Sequence, residues 1–494
     1  MSTTLTISLA GIIIVAVLGF VGRRRPTSDL SEWTIGGRRF GAGAIWFLQA
    51  GEIFTTFTFL GMAGLAFGHG AAAFYALPYV PIAFMGLYFL GPRLWWLSKH
   101  RGYLTQADFI EDVYRSKLLG TISAIFGVVF LLPYLQLQIT GLGLIVQLAT
   151  GNAANGTLSM IIGFVLVVAF VLWSGIRGVV TASYFKDVIM IVMLLVLLTA
   201  IPNAIAGGIS GVFHQVLARH PQYLELPAGS HDVVWFITNM AISMIGILFL
   251  TLPHTWPSIL SARNPTALRR TYIFLPLYQL ALTVPMIVGF AALLVLPAST
   301  DSNATLLTLA ARVLPDWLLG LVAVAGIATA MVPAAGLLVG IASLLARNIA
   351  RTSNQRSRYW INQATVVGAT ALALMLAILR PGLLANLLLL TYSGLDQLAP
   401  AIAAGLLWRT GRLRWWAVLI GLLGGEATVI YLTLIDTTAV GNVNVGIVGL
   451  GMNIVIISLL ELGALLAHAP RPVNEPIAAT TAEQATAATS REAL

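Results

Sequence analysis

The chain has 494 residues, of which 58% are hydrophobic and only 9% are charged, and its formal net charge is +9. A mean hydropathy of +0.90 lies far above that of soluble globular domains, so the composition excludes that class and indicates a polytopic membrane protein. The absence of cysteine excludes disulfides and thiolate metal sites.

Apolar segments long enough to cross a bilayer, about 20 residues each, recur along the whole sequence. We predict thirteen transmembrane helices, at residues 4–21, 41–67, 72–97, 119–149, 156–175, 180–201, 232–252, 271–297, 317–345, 362–379, 383–407, 415–434 and 444–467. The first is followed by RRRPTSDLSEW rather than by a small-residue cleavage site, so we interpret it as a retained helix. The odd number puts the two termini on opposite sides.

The loop charges predict the orientation. With the N-terminus outside, all 27 lysines and arginines except Arg219, Arg312 and Arg380 face the cytoplasm, where positive charge is retained during insertion. We therefore expect the N-terminus outside and the C-terminus inside. The same asymmetry explains the net charge, so nucleic acid is not expected as a partner.

Glycine, proline and polar side chains interrupt several of these spans. The second contains QAGEIFTT, the ninth ATAMVPAAG, the eleventh TYSGLDQLAP and, more mildly, the seventh TNMAISMIG. Unwound backbone at membrane depth has to line a cavity or be covered by protein. Secondary transporters build their substrate and ion sites at such breaks, often in two inverted repeats, and spans 2–6 and 7–11 form two groups of five with opposite orientations.

Glu52 lies in the interrupted second span, where an ionised carboxylate costs several kcal/mol. We expect it to carry a proton, because a low dielectric favours the neutral acid. The alternative is that it only bonds the loose backbone ends of the broken helix. Lys186 and Asp187, at the start of the sixth span, compete for ion or proton coupling, although they also fit an interfacial anchor and its counter-ion. Asp396 in the eleventh span is the remaining candidate.

Hydroxyl and amide side chains supply the candidate substrate site. Thr55, Thr56 and Thr58 lie beside the predicted break, where unpaired N–H groups and a half-helix dipole favour an anion. The other candidates lie on the core helices, and they are Tyr134, Gln138, Asn239, Ser243, Tyr392 and Gln397. The alternatives are that the threonines bond their own backbone and that the others join helices. His254 and Trp256 fall at a predicted membrane boundary, where an aromatic belt is the default.

Several motifs resemble those of the sodium:solute symporter family. They are EWTIGGRRFG (32–41), FLGMAGLAFGHG (59–70), RGYLTQADFIEDVYRSK (101–117), PYLQLQITGLG (133–143), LPHTWPSILSARN (252–264) and LDQLAPAIAAGLLWR (395–409). Within the family, GEIFTTFTF, FKD, RRTYIFLPLY and MVPAAGLLVGIASLLARNI resemble bacterial permeases of lactate, pyruvate and similar short acids. The resemblance implies an all-α, leucine-transporter-type five-plus-five inverted repeat that works by alternating access in a bacterial inner membrane.

The resemblance also implies where the sodium site of the family falls. Three carbonyl and two hydroxyl positions match, in that order, Gly51, Phe54, Thr329, Val332 and Pro333. A cation that lost two of about five oxygen ligands is poorly held, so we expect proton coupling or at least sodium independence. Asp187 matches an acidic residue beside the inner exit of that site, and the ammonium of Lys186 can occupy an empty cation site.

These observations predict a symporter of short monocarboxylates, with the bilayer and the small acid as partners and no cofactor beyond a coupling proton or sodium. The alternatives are a sodium-coupled symporter of another solute, such as proline or alanine, and a transporter-like membrane sensor. No HExxH, Walker, GxSxG or CxxC motif indicates an enzyme, and we expect a monomer. We divide the chain into an N-terminal helix and basic loop (1–40), a first repeat (41–201), an extracellular loop (202–231), a second repeat (232–407), two peripheral helices (408–468) and a disordered tail (469–494).

Overall fold

The computed structural model describes residues 3–23, 29–226, 229–352, 354–379, 384–408, 413–435 and 437–469. This part of the chain is almost entirely helical, and its only sheet is an antiparallel hairpin of β1 (Ala439–Val440) and β2 (Val443–Asn444). Arg380 and residues 470–494 of the tail that we expected to be disordered lie outside the described residues.

Twenty-one α-helices of the described residues form the bundle. The first half of the chain contains α1 (Thr3–Val21), α2 (Leu30–Ile35), α3 (Ala42–Ile53), α4 (Met62–His69), α5 (Tyr79–Arg101), α6 (Gln106–Tyr114), α7 (Lys117–Thr150), α8 (Ala153–Ser174), α9 (Ile176–Ala206) and α10 (Ile209–Arg219). The second half contains α11 (Val233–Leu248), α12 (Thr255–Leu260), α13 (Pro265–Tyr278), α14 (Thr283–Ala292), α15 (Thr305–Val313), α16 (Asp316–Leu344), α17 (Gln355–Leu379), α18 (Leu384–Leu395), α19 (Ala399–Leu407), α20 (Trp415–Leu434) and α21 (Val445–Leu466).

Eleven helical stretches of the described chain are long and apolar enough to cross a membrane, so the protein is a multi-pass membrane protein. The predicted number of thirteen is not confirmed. The difference lies around the helix breaks, because α3 has 12 residues and α11 has 16, too few for a continuous span. In addition, a 3₁₀ segment, Gly70–Ala76, joins α4 to α5, so that Phe57–Arg101 forms one stretch.

The predicted interruption of the second span is confirmed. α3 ends at Ile53, Phe54 is extended (φ −86°, ψ 98°), and a π-helical turn, Phe57–Gly61, precedes α4. Gly51 allows α3 to approach α9, since a Cβ at this position would lie 2.6 Å from the Ser183 hydroxyl oxygen. The unwound segment therefore lies inside the bundle, as backbone at membrane depth must.

The seventh span breaks later than its polar residues indicated. α11 ends at Leu248, Leu250 adopts a left-handed conformation (φ 56°), and α12 begins at Thr255. The backbone carbonyls that the break leaves without a helical partner accept hydrogen bonds from another helix. Gln106 Nε2 lies 2.7 Å from the Leu250 oxygen and 2.8 Å from the Thr251 oxygen. This donor, which is distant in the sequence, satisfies the carbonyls at the break. No local sequence pattern predicts it.

The ninth span is not interrupted, which corrects the prediction made from Pro333. α16 runs continuously through the proline, and every residue from Val322 to Leu344 is buried. One missing backbone hydrogen bond does not unwind a membrane helix that neighbouring helices enclose. In the eleventh span the break is limited to a 3₁₀ turn, Asp396–Leu398, between α18 and α19.

The GGR motif ties the start of α3 to the end of α12. Phe40 donates its N–H to the Ser261 carbonyl (3.0 Å), and Arg263 donates to the Phe40 carbonyl (2.9 Å). Gly36 and Gly37 have positive φ, and this turn directs the Arg38 guanidinium to the carbonyls of Leu260, Ser98 and Tyr103. Burial lowers the pKa of Arg38 to about 10. The two broken helices are thus held together at one end of the bundle.

Candidate functional site

A central cavity of about 50 Å³ lies where the two broken helices meet. α3, α5, α7, α12, α18 and the segments that follow α3 and α11 contribute its walls. Four of the predicted site residues line it, and they are Glu52, Thr55, Tyr134 and Tyr392. The fold therefore brings together residues that are more than 300 positions apart in the sequence.

Glu52 is buried, with an exposed fraction of 4%, and its carboxyl group has one close partner. Oε2 lies 2.9 Å from the Ser258 hydroxyl oxygen, which in turn lies 2.8 Å from the Thr255 carbonyl. A serine hydroxyl has a single hydrogen, so an ionised Glu52 leaves one of these two contacts without a proton. A protonated Glu52 satisfies both, because the acid donates to Ser258 and Ser258 donates to Thr255.

Thr56, Thr58 and Gln138 stabilise the break itself. Gln138 Oε1 accepts from the Thr56 backbone N–H (3.2 Å) and the Thr56 hydroxyl (2.8 Å). Thr58 Oγ1 accepts from the Thr55 backbone N–H (2.7 Å). Unwound backbone needs such partners in a membrane interior, so these three side chains have a structural role whether or not they also contact a solute.

Lys186 and Asp187 form a fully buried ion pair on α9. Lys186 Nζ lies 2.8 Å from Asp187 Oδ1, which also accepts from the Tyr278 hydroxyl (2.7 Å). The same ammonium lies 3.3 Å from the Ala50 carbonyl and 3.4 Å from the Gly51 carbonyl, at the end of α3. The Lys186 side chain thus points into the bundle, whereas the side chain of an interfacial anchor would reach the protein surface.

Two of the positions matched to the family's sodium site lie next to this ammonium. The Gly51 carbonyl faces it, and the Phe54 ring centre lies 5.6 Å from Nζ. Val332 is the aliphatic neighbour, 3.5 Å from where a Cβ of Gly51 would lie. Thr329 donates its hydroxyl to the Gly326 carbonyl (2.6 Å), and Pro333 is enclosed in α16. The cation next to the carbonyls of α3 is therefore supplied by the protein.

Four further predicted residues also lie outside the lining of the central cavity. Asp396 accepts from the Thr251 hydroxyl (2.6 Å) at the break after α11. Asn239 accepts from Asn444 Nδ2 (2.8 Å), and Gln397 donates to the Gly446 carbonyl (3.1 Å). Ser243 is buried on α11. The Asn239 and Gln397 contacts join α11 and the α18–α19 turn to the β hairpin and α21.

A second, wider cavity of about 840 Å³ opens at the end of the bundle where α4 ends and α11 begins. His69 and His231 stack across its wall with ring centres 3.7 Å apart. Burial, and next the nearby His69, lower the pKa of His231 to about 4. Asn239 also lines this cavity, so the wall of the cavity includes one of the polar contacts of α11.

His254 is the site residue that the sequence did not reveal. It and Trp256 have exposed fractions of 3% and 0%, so neither forms an aromatic belt. His254 lines the central cavity beside Glu52, and Trp256 donates its Nε1–H to the Leu250 carbonyl (2.7 Å). Hydropathy placed both residues at the end of a span, whereas the unwound segment before α12 brings them inside. Among the described residues no group of three or more His, Asp or Glu has the arrangement of a metal site.

Comparison with known proteins gives relatives of nearly full length. The uncharacterized symporter YhjB of Bacillus subtilis is 34% identical, over 92% of this chain and 96% of that protein. A monocarboxylate transport permease protein of Rhizobium johnstonii is 28% identical, over 82% of this chain and 84% of that protein. Weaker similarity, 25% identity over 51% of this chain, connects it to a sodium/proline symporter of Staphylococcus aureus.

Solved structures share the fold. A Na⁺-coupled sialic acid symporter, in its substrate-bound outward-open state, matches 96% of this chain and 99% of its own with a TM-score of 0.77 at 14% identity. The nucleobase-cation-symport-1 family transporter Mhp1 matches 87% and 94% with a TM-score of 0.54. Both are transporters of the leucine-transporter fold, not enzymes. Since residues 33–410 also match the family model, the chain belongs to the sodium:solute symporter family.

Proposed function

We propose that the protein is a secondary active transporter of short monocarboxylates, such as lactate or pyruvate, that works by alternating access without sodium. The observation that carries the coupling part is the position of Lys186, whose ammonium lies against the Ala50 and Gly51 carbonyls. A second monovalent cation in contact with this buried ammonium would be strongly repelled. This contact argues against the sodium-coupled alternative.

The coupling ion we propose is a proton, carried by Glu52. The support is the contact chain from Glu52 through Ser258 to the Thr255 carbonyl, which is complete only when the acid is protonated. Glu52 also lines the central cavity, so its charge state and the occupancy of the cavity are coupled directly. Lys186, Asp187 and Asp396 remain the alternative proton sites.

The substrate class rests on two separate supports. One is the relative from Rhizobium johnstonii that is named a monocarboxylate transport permease protein. The other is the cavity itself, which at about 50 Å³ suits a small solute and has a protonatable acid in its wall. Thr55, Tyr134 and Tyr392 offer hydroxyls to the same solute.

The finer architecture follows from the same proposal. We propose thirteen spans, in which the broken helices α3–α4 and α11–α12 begin the repeats 41–201 and 232–407. Both breaks then lie at the membrane midplane, as transporters of inverted-repeat design require. The wide cavity then faces outside, the N-terminus is outside, and the C-terminus is inside the bacterial inner membrane. We propose a monomer as the transporting unit.

Uptake into proteoliposomes tests the function. Labelled lactate, pyruvate, acetate and proline are compared under an inward proton gradient or an inward sodium gradient. We expect accumulation of short monocarboxylates with the proton gradient alone. Accumulation of proline with the sodium gradient, without uptake of the acids, would contradict the proposal.

A further inference from the structure

The central cavity holds a second ionisable group for which the coupling mechanism has no role. His254 lines the cavity, and its Nδ1 has no hydrogen-bond partner among the described residues. Glu52 Oε1, in the same wall, is likewise without a partner in that part of the chain. Buried polar atoms are rarely left unpaired, so two such atoms on side chains that line one cavity indicate that a solute completes them.

His254 and Glu52 both lie against one face of α16. A Cβ added at Gly336 would lie 3.5 Å from Glu52 Oε1, and a Cβ added at Gly340 would lie 2.7 Å from the His254 Cα. Residues four apart share a helix face and are separated by about 6 Å along the axis. The His254 backbone and the Glu52 carboxyl group are therefore about one helical turn apart, and both residues line the central cavity.

Two other polar side chains of the cavity wall are already engaged within the protein. The Thr255 hydroxyl donates to the Leu252 carbonyl (2.8 Å), and the Ser258 hydroxyl is shared between Thr255 and Glu52. No lysine or arginine lines this cavity in the described part of the chain. The imidazole can present a ring N–H to a carboxylate, and hydrogen bonds to an ionised acceptor are roughly twice as strong as those between neutral groups.

The ring of His254 is held in place for this contact. It packs edge-on against Tyr134, with ring centres 5.4 Å apart and planes at 79°. Its backbone lies against α16 at Gly340, where a Cβ would lie only 2.7 Å from the His254 Cα. A nitrogen that is fixed by its neighbours and lacks a partner loses little freedom when it binds a solute.

We infer that His254 recognises the carboxylate of the transported acid in the central cavity, beside the proton-carrying Glu52. This inference rests on the proposed function and adds the residue that distinguishes a carboxylate from its neutral analogue. The nitrogen donates to a carboxylate oxygen, and the aromatic wall contributed by Tyr79, Tyr134 and Tyr392 surrounds the short carbon chain.

The test compares wild-type protein with His254→Phe and His254→Gln in proteoliposomes. Phenylalanine keeps the ring and its edge contact with Tyr134 but removes both nitrogens, whereas glutamine keeps a neutral N–H donor. His214→Phe is the matched control, because His214 is exposed on α10 and outside the cavity. For each protein the KM for lactate, the Vmax and the competition by lactamide are measured.

We expect His254→Phe to raise the KM for lactate about tenfold or more, as loss of a hydrogen bond to a charged group does, with a smaller rise in His254→Gln and none in His214→Phe. The preference for lactate over lactamide should fall in the same order. A merely structural role would lower Vmax or expression without changing that preference.

Two results would overturn the inference. One is a His254→Phe protein with wild-type KM and wild-type preference for lactate over lactamide. If that variant does not insert, an unchanged preference in His254→Gln overturns the inference equally. Failure of the proposed function is distinct, since wild-type protein would then take up none of the short monocarboxylates.

Discussion

Replacing Lys186 by methionine tests whether the buried ammonium holds α9 against the break in the second span. Methionine keeps an unbranched side chain of similar reach but removes the charge. In the variant, the buried Asp187 carboxylate retains the Tyr278 hydroxyl as its contact on Oδ1 and loses its cation. The carbonyls of Ala50 and Gly51 lose their donor as well.

The expected cost is large because the lysine and aspartate side chains are both fully buried. Removing one partner of a buried ion pair destabilises a protein by about 3–5 kcal/mol, whereas replacing both partners by neutral groups is often close to neutral. Lys186→Met should therefore be strongly destabilised, and Lys186→Met/Asp187→Asn should recover most of the loss. The rescue is expected because the double variant contains no unpaired buried charge.

Thermal unfolding of the purified protein in detergent measures both effects. Lys99→Met is the matched control, since Lys99 is exposed and lies over tryptophan faces, with Nζ 5.0 Å from the Trp95 ring centre. Such an exposed cation–π contact contributes about 0.5–1 kcal/mol. A Lys186→Met protein as stable as Lys99→Met, or a double variant less stable than the single one, would refute the reasoning.

Four further outcomes are expected. Glu52→Gln keeps the shape of the protonated acid, so it should bind and exchange substrate but lose pH-driven accumulation in liposomes; accumulation at the wild-type level would move the proton site to Lys186 and Asp187. Glu52→Ala should instead lower thermal stability, by about 1–3 kcal/mol for each polar group left unpaired. Replacement of external sodium by choline should leave uptake nearly unchanged, and a strict sodium requirement would contradict the role given to the buried ammonium. The pKa of His231 is lowered from 6.5 to about 4, so as the pH falls the unfolded chain binds the proton first. The stability contributed by neutral His231 is therefore present above pH 6.5 and is lost as the pH falls towards 4. Melting temperatures of wild type and His231→Gln should differ in this window, with a weaker pH dependence in the variant.

Local composition was a good guide wherever the feature itself was local. The membrane class followed from apolar runs, and the family followed from motifs such as EWTIGGRRFG. The break after α3 was visible as an acid, glycine and threonines inside one apolar run. Pro333 misled the same reasoning, because whether a proline unwinds a helix depends on what encloses that helix.

Partner identity was beyond local reasoning. Thr56 and Thr58 were expected at the substrate, and the structure gives them bonds that support the break. Lys186 was compatible with an anchor at the membrane surface, and only the packing of α9 against α3 shows that its ammonium is buried. Lys186 and Ala50 are 136 positions apart, so no window of the sequence contains this contact.

The sequence by itself determined a multi-pass membrane protein of the sodium:solute symporter family, with a protonatable acid at a broken helix and no hydroxyl pair at Val332 and Pro333. Those features are properties of residue type and order, which hydropathy and motif spacing report directly. Only the tertiary structure decided that an ammonium lies beside the carbonyls of α3 and that His254 faces the same cavity as Glu52. The physical reason is that unwound backbone and buried charges are stable only with partners from other helices, and the packing of the bundle alone determines which residues those partners are.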